Sequence, residues 1–167
     1  MPPTRCHLTV SARRYTFGMS DHWRVIEASW EHINIYDGAD VFRNTYDSAP
    51  KISGLMFAAH FCQSEVCNGG FHQFFWNSTG VLAPEAIEGF RRIGQHEVAE
   101  VVETAMGLLG ASYLRDRAER QERLSRVPKT ALDSLDEKFF SLIGCEAGGF
   151  QKAADHFVNQ FGHEQKK

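Results

Sequence analysis

Apolar residues recur along the chain at steps of three and four positions, which places them on one face of an α-helix. The longest such stripe comprises Val98, Val101, Val102, Ala105, Leu108 and Leu109. Another follows Ser20 and Asp21, either of which suits a helix N-cap, and comprises Trp23, Ile26, Trp30 and Ile33. No stretch alternates between apolar and polar residues in the way that predicts a β-strand. The pattern therefore predicts an all-α protein, a single compact multi-helix domain of about seven or eight helices.

Start and stop signals predict further helices. Pro50 suits the first turn of a helix whose apolar face comprises Ile52, Leu55, Met56, Ala59 and Val66. Pro84 begins another helix, with Ile87, Phe90 and Ile93 directed inward. The sequence SLDE, residues 134–137, predicts a capping box ahead of Phe139, Phe140, Leu142 and Ile143. A last helix from about Phe150 is predicted to bury Ala153, Ala154, Phe157, Val158 and Phe161.

The segment EVCNGGFHQFFWNSTG, residues 65–80, predicts a tight corner between two helices. Asn68, Gly69 and Gly70 form a strong helix stop, because asparagine and glycine tolerate the left-handed conformation that ends helices. A short helix then begins, and Phe71, Phe74 and Phe75 share one of its faces. We expect these rings to hold the short helix against the helix before it.

The polar residues of this corner are predicted to serve the helix ends. Asn68 and Asn77 carry amides suited to backbone groups left free there. Glu65 lies one turn before the break, where the helix dipole disfavours a carboxylate. We expect Glu65 to be compensated by main-chain amides at the start of the short helix or by His72. The corner is therefore interpreted as mainly architectural.

Charge divides the chain unevenly. Residues 1–20 contain three arginines and no acidic residue, whereas the whole chain has a formal net charge of −3. We expect residues 1–20 to be a flexible basic leader or a mis-assigned start, with Met19 as the alternative first residue. The helical domain is expected to span residues 21–162, and residues 163–167 to form a tail. Residues 115–126 are almost wholly charged, which predicts a solvated helix.

The cysteine content and the hydropathy of the chain indicate the cellular environment of the protein. Cys6, Cys62, Cys67 and Cys145 have no metal-site spacing, and we interpret them as small buried side chains in a reducing compartment. Their even number leaves a disulfide bridge as the alternative. The longest apolar run near the middle, GLMFAA, is far shorter than the roughly 20 residues that cross a bilayer. A cytoplasmic protein without membrane contact is the expectation.

The corner also resembles the signature of a known family, the bacterial DNA-mimic proteins represented by DNA-mimic-protein-nineteen, which are mostly uncharacterised helical domains. Weaker matches are Pro50, residues 91–94 and residues 135–140, so the resemblance extends over residues 21–162. It implies a structural or partner-binding role for a family motif, which comprises Glu65, Asn68, Gly69, Gly70, Phe71, Gln73, Phe74, Phe75, Asn77 and Gly80.

The resemblance implies a protein partner, a DNA-binding transcription regulator, whose DNA-binding face is occupied by an acidic surface. We expect no catalysis, no cofactor and no direct contact with nucleic acid, and the oligomeric state stays open. Residues 21–48 supply six acidic residues against two arginines, a net charge of −4. The candidate acidic face comprises Asp21, Glu27, Glu31, Asp37, Asp40, Asp47, Glu97, Glu100 and Glu103.

Three other functions compete with this interpretation. An enzyme or metal site could use the corner between Glu65 and Asn77, since the ligand types for zinc nearby are His60, Cys62, Cys67 and His72. Positions 62 and 67 diverge on a helix, however, and no catalytic motif is present, so no metal is predicted. An immunity-like or antitoxin-like partner role also fits a small acidic helical domain. Nucleic-acid binding through residues 115–126 is disfavoured, because three acidic residues offset the five arginines.

Overall fold

The computed structural model describes residues 20–161, and within this range the chain is all-α, as predicted. It contains eight α-helices and no strand over these residues. The helices are α1 (Asp21–Trp30), α2 (Ala39–Ser48), α3 (Lys51–Trp76), α4 (Ala83–Arg92), α5 (His96–Gly107), α6 (Arg117–Leu124), α7 (Lys129–Ile143) and α8 (Phe150–Phe161). Two short 3-10 helices, Ser78–Leu82 and Glu146–Gly148, precede α4 and α8. The predicted leader and tail fall almost entirely outside the described residues.

Helix α3 is the central element of the domain. It packs against α1, α4, α6 and α7, while α5 packs against α4 and α7. Its residues 53–59 are all buried, so this stretch is enclosed on every side rather than along one stripe. None of the helices within residues 20–161 has the length and apolarity needed to cross a membrane.

Helix α1 closes the domain against α8, at the opposite end of the chain. Asp155 accepts two hydrogen bonds from His22, one from the main-chain nitrogen at 2.9 Å and one from Nδ1 at 2.6 Å. Asn159 adds a hydrogen bond to the carboxylate of Asp21 at 2.9 Å. These contacts join residues more than 130 positions apart. The α1 helix is therefore held in place by side chains from the last helix.

The buried face of α1 is displaced from the predicted stripe. Ile26 and Ile33 are buried as expected, but Trp30 is 49% exposed, and His22 and Ser29 take inward positions. The hydroxyls of Ser29 and Ser53 bond to each other, which satisfies both polar groups at the contact between α1 and α3. A sequence pattern that counts apolar residues alone misses a face built partly from such paired polar side chains.

Helix α2 is not predicted by the sequence pattern, because it lacks an apolar stripe. Phe42 is its only buried residue. Thr45 and Tyr46 are partly covered, and most other positions face solvent. A helix that buries one ring cannot be recognised from periodicity.

The predicted capping box at residues 134–137 is wrong. Helix α7 begins at Lys129, directly after Pro128, so Ser134 lies inside the helix rather than at its start. Leu132, Leu135 and Phe139 continue one apolar face through the polar run, and this packing keeps the segment helical. Asp136 is thereby free to bond outside its own helix.

Two expectations about burial are also wrong. Phe161, the last residue of α8, is 40% exposed. Of the cysteines in the described range, Cys62 is buried and Cys67 is partly buried, but Cys145 is exposed. Cys145 follows the end of α7, outside the core.

The predicted break at Gly69 and Gly70 is confirmed. Gly69 has φ −149° and ψ 20°, and Gly70 has φ 76° and ψ −178°, so α3 consists of a first arm, residues 51–68, and a second arm, residues 71–76. The three phenylalanines of the second arm have no exposed surface. Phe71 packs edge-on against Phe139 of α7, with ring centroids 5.5 Å apart. The ring of Phe71 therefore packs the second arm against α7.

We predict that Gly70→Val destabilises the domain by about 3 kcal/mol or more. The left-handed φ of Gly70 strains a β-branched residue, and a Cβ there would overlap the carboxylate of Asp136. Thermal unfolding followed by circular dichroism measures the effect. Gly107→Ala is the control, because no atom lies within 4 Å of the added Cβ apart from its chain neighbours and the backbone of its own helix. Equal melting temperatures for Gly70→Val and the wild type would contradict the corner geometry.

Candidate functional site

The second arm of α3 is capped at its N-terminal end by a carboxylate from another helix. Asp136 Oδ1 of α7 accepts a hydrogen bond from the main-chain nitrogen of Phe71 at 2.7 Å. A negative charge at this position also meets the positive end of the helix dipole. Burial raises the pKa of Asp136, and the hydrogen bond from Phe71 acts in the opposite direction. The cap therefore links α7 directly to the corner.

The C-terminal end of the second arm is held by Arg120 of α6, whose side chain has no exposed surface. Its Nε donates to the carbonyl of Phe75 at 2.8 Å, and its Nη2 donates to the carbonyl of Asn77 at 2.9 Å. Its Nη1 donates to the carbonyl of Arg115 at 2.9 Å. Burial lowers the pKa of Arg120, although a guanidinium remains protonated at neutral pH. The positive charge thus lies against carbonyls at the end of the second arm, of which that of Asn77 also accepts a hydrogen bond from the main-chain nitrogen of Gly80 at 3.1 Å.

Helix α6 is therefore not the solvated helix that its composition predicts. Besides Arg120, it directs Arg117 Nε and Gln121 Nε2 to the carbonyl of Trp76, at 3.1 and 2.9 Å. Leu124 is also buried, one turn after Arg120. The helix packs a polar face onto a polar helix end, an arrangement that an apolar periodicity cannot reveal.

Glu65 joins the two arms through side chains. Its carboxylate accepts hydrogen bonds from Gln73 Nε2 at 2.7 Å, Asn77 Nδ2 at 3.1 Å and Thr79 Oγ1 at 3.3 Å. The predicted compensation by main-chain amides or by His72 is wrong. The amide of Phe71 bonds Asp136, and His72 instead stacks on Trp76 with ring centroids 5.8 Å apart.

The remaining motif residues differ in their surroundings. Asn68 and Gly69 are exposed, so the expected role of the Asn68 amide stays a prediction. Gly80 is buried against the guanidinium of Arg120, and its carbonyl accepts a hydrogen bond from the hydroxyl of Tyr113. A side chain at position 80 would collide with Arg120, so Gly80 allows the arginine to reach the helix end.

The side chains considered for a metal site face different surroundings. Cys62 is fully buried, and burial raises the pKa of its thiol. His60 lies near Trp23 on α1, with ring centroids 4.9 Å apart, whereas His72 lies on the second arm. Within residues 20–161, no group of three or more histidine, cysteine, aspartate or glutamate side chains is placed to hold a metal ion.

His60 lines a cleft of about 360 Å³ between α1, α3 and α8, together with His22, Trp23 and Phe150. The ring nitrogen Nδ1 of His60 is buried without a hydrogen-bond partner among the described residues. Burial, aided by His22, lowers the pKa of His60 to about 4. His60 is therefore neutral at physiological pH.

A surface groove of about 570 Å³ lies apart from the corner. Ile52, Leu55 and Phe157 contribute apolar surface, while Lys51 and Arg92 supply positive charge. None of the motif residues lines this groove. It therefore adds nothing to the predicted site.

The candidate acidic face is divided between two parts of the domain. Glu97, Glu100 and Glu103 lie on α5, which packs on α4 and α7, whereas the other members lie on α1, α2 and their connection. Glu103 pairs with Arg91 at 2.6 Å, and Asp37 accepts a hydrogen bond from Asn34 at 2.7 Å. Six members are exposed and make no ion pair or side-chain hydrogen bond among residues 20–161: Glu27, Glu31, Asp40, Asp47, Glu97 and Glu100.

Sequence reasoning missed Asp136 and Arg120, although both act directly on the predicted corner. The only local signal for Arg120 is Leu124, one turn later on an otherwise polar helix. Asp136 stands four residues before Phe140 in a run that resembles an ordinary helix start. The hydrogen bonds of Asp136 and Arg120 to the corner each join residues more than 40 positions apart.

We predict that Arg120→Met lowers the free energy of unfolding by about 3 kcal/mol or more, because it removes the hydrogen bonds that the buried guanidinium donates to the carbonyls of Phe75, Asn77 and Arg115. Urea denaturation measures the loss. Arg126→Met is the control, since Arg126 is exposed and pairs only with Glu122 one turn away. This control is expected to change stability by less than about 0.5 kcal/mol. Similar losses in both variants would refute the assigned role of Arg120.

The low pKa of His60 predicts a loss of stability in mild acid. The unfolded chain protonates His60 near pH 6.5, but the folded protein does so only near pH 4. Unfolding is thus favoured progressively as the pH falls through this range, by up to about 3 kcal/mol in total. Denaturation at several pH values should show a flatter profile for His60→Phe than for the wild type. Equal slopes for His60→Phe and the wild type would contradict the assignment.

Comparison with known proteins gives one match. The chain matches no curated protein and no solved structure. The family described as DMP19-like protein matches residues 47–160, a region that includes the corner, α3 to α7 and nearly all of α8. This region covers more than half of the chain and contains the motif that carries the sequence resemblance. The chain belongs to the DMP19-like protein family.

Proposed function

We propose that this domain is a non-catalytic interaction module that binds a protein partner through exposed acidic helices. We further propose that the partner is a DNA-binding regulator, and that the acidic surface occupies its DNA site. The observation that carries this proposal is membership of the DMP19-like family, whose name denotes a DNA mimic. The acidic surface of the described residues is consistent with it.

The α5 acidic row, Glu97, Glu100 and Glu103, is one proposed contact. Helix α5 contains no lysine or arginine. A three-residue step advances about 4.5 Å along a helix, about one third more than the ~3.4 Å axial spacing of phosphates on one DNA strand. Glu103 is partly neutralised by Arg91, so Glu97 and Glu100 would contribute most of the free charge.

The geometry of the corner supports a non-catalytic role. The carboxylate of Glu65 accepts three hydrogen bonds from neutral side chains, and Asp136 accepts one from the backbone. These acids are engaged in holding the two arms of α3. We propose that the family motif positions the acidic helices and does not itself act on a substrate.

The proposal predicts that a captured partner binds duplex DNA and that this domain displaces the DNA. The tagged domain would be used as bait in native lysate at low and high salt, and captured proteins would be identified by mass spectrometry. Capture should fall as salt rises, because exposed charges are screened. A competitive gel shift with the purified partner then tests displacement.

Charge variants sharpen this test. Glu97→Gln combined with Glu100→Gln should weaken displacement by about tenfold. Glu122→Gln, which changes an exposed glutamate already paired with Arg126, should leave it unchanged. Salt-insensitive capture, or a partner whose DNA binding persists with excess domain, would overturn the DNA-mimic proposal.

A further inference from the structure

A second acidic surface, on α1, combines charge with exposed aromatic rings. Trp23, Glu27, Trp30 and Glu31 line a groove of about 280 Å³, which we call the Trp–Glu groove. The groove lies outside residues 47–160, the region matched by the family. It is therefore a feature of this chain that family membership does not assign.

The aromatic wall of the groove is well supported from beneath. Trp30 is 49% exposed, yet its ring lies 5.1 Å from that of Phe61 and 6.3 Å from that of Phe57, centroid to centroid. Trp23 packs edge-on against Trp30 at 5.7 Å. One side of Trp30 is thus fixed by aromatic neighbours while a large part of the ring remains open to solvent.

The carboxylates beside these rings are unpaired. Glu27 and Glu31 stand one turn apart and are both exposed, and neither forms an ion pair among the described residues. Like charges at this spacing repel each other on a helix. Arg24 is the single arginine or lysine of α1, and it does not line the groove. A bound cation would relieve the repulsion and gain two ionic partners.

We propose that the Trp–Glu groove binds an arginine side chain in a basic segment of the partner protein. The planar guanidinium stacks on tryptophan and donates to carboxylates in fixed directions, which an ammonium cannot do as well. The Trp–Glu groove offers the acceptors and the open ring side by side. This inference rests on the proposed function, since a DNA-binding partner presents arginines, and it adds an aromatic contact that phosphate imitation does not supply.

Direct peptide binding tests the Trp–Glu groove without the partner. A short peptide of alternating glycine and arginine would be titrated while tryptophan fluorescence is recorded. The lysine peptide of equal charge should bind several-fold more weakly, and the citrulline peptide should not bind. Trp30→Ala should weaken arginine-peptide binding by about tenfold. Glu27→Lys should abolish binding without removing any core contact, so it remains informative if Trp30→Ala folds poorly.

Matched controls separate this groove from general electrostatics. Trp76→Ala changes another exposed tryptophan, on α3, and should leave peptide affinity unchanged. Glu97→Gln combined with Glu100→Gln should also leave it unchanged. Equal weakening by the α5 and α1 charge variants, or undiminished binding to Trp30→Ala, would overturn the proposal.

If the domain captures a DNA-binding partner but does not bind the peptide, the groove assignment fails and the proposed function stands. If it binds the peptide but captures no such partner, the groove assignment stands and the proposed function fails.

Discussion

The fold depends on holding a helix of six residues that could not persist alone. Isolated helices below about 12 residues are marginal in water, because the first turn is costly to form. The second arm of α3 overcomes this through opposite charges at its two ends, Asp136 at the first amide and Arg120 at the last carbonyls. Each charge lies at the end of the helix dipole that favours it. Glu65 then fixes the angle between the arms through three side-chain hydrogen bonds.

The corner in turn anchors the aromatic core. A chain of rings runs from Tyr113 through the second arm to α7, α4 and α8, with neighbouring centroids 5.5 to 6.3 Å apart: Tyr113, Phe75, Phe71, Phe139, Phe90, Phe150 and His60. The family motif and the histidine cleft therefore belong to one packed unit. Of the two acidic helices, α1 packs on α3 and α8, and α5 packs on α4 and α7.

The sequence was informative wherever one local signal decides the structure. Glycine pairs, proline starts and apolar stripes placed α3, α4, α5 and α8 and the break at Gly70. The sequence was uninformative where polar contacts between distant residues decide the structure. The α6 helix has an inward face because Arg120 donates hydrogen bonds to carbonyls some 45 residues away. The need to compensate Glu65 was anticipated, but its donors depend on the bend itself. The division of the acidic residues between α1–α2 and α5 is likewise a property of the packing, which no local pattern records.

The burial of Arg120 makes the order of α6 inseparable from that of the corner. Helix α6 has eight residues and buries only Arg120 and Leu124, so it has little apolar surface to keep it folded by itself. If it detached, the carbonyls of residues 75–77 would lose together the hydrogen bonds that α6 donates to them. Amide protons of both segments should therefore exchange with solvent in a single cooperative opening, although α6 is among the most hydrophilic parts of the chain. A ligand that loosened α6 would thereby destabilise the centre of the domain without contacting it.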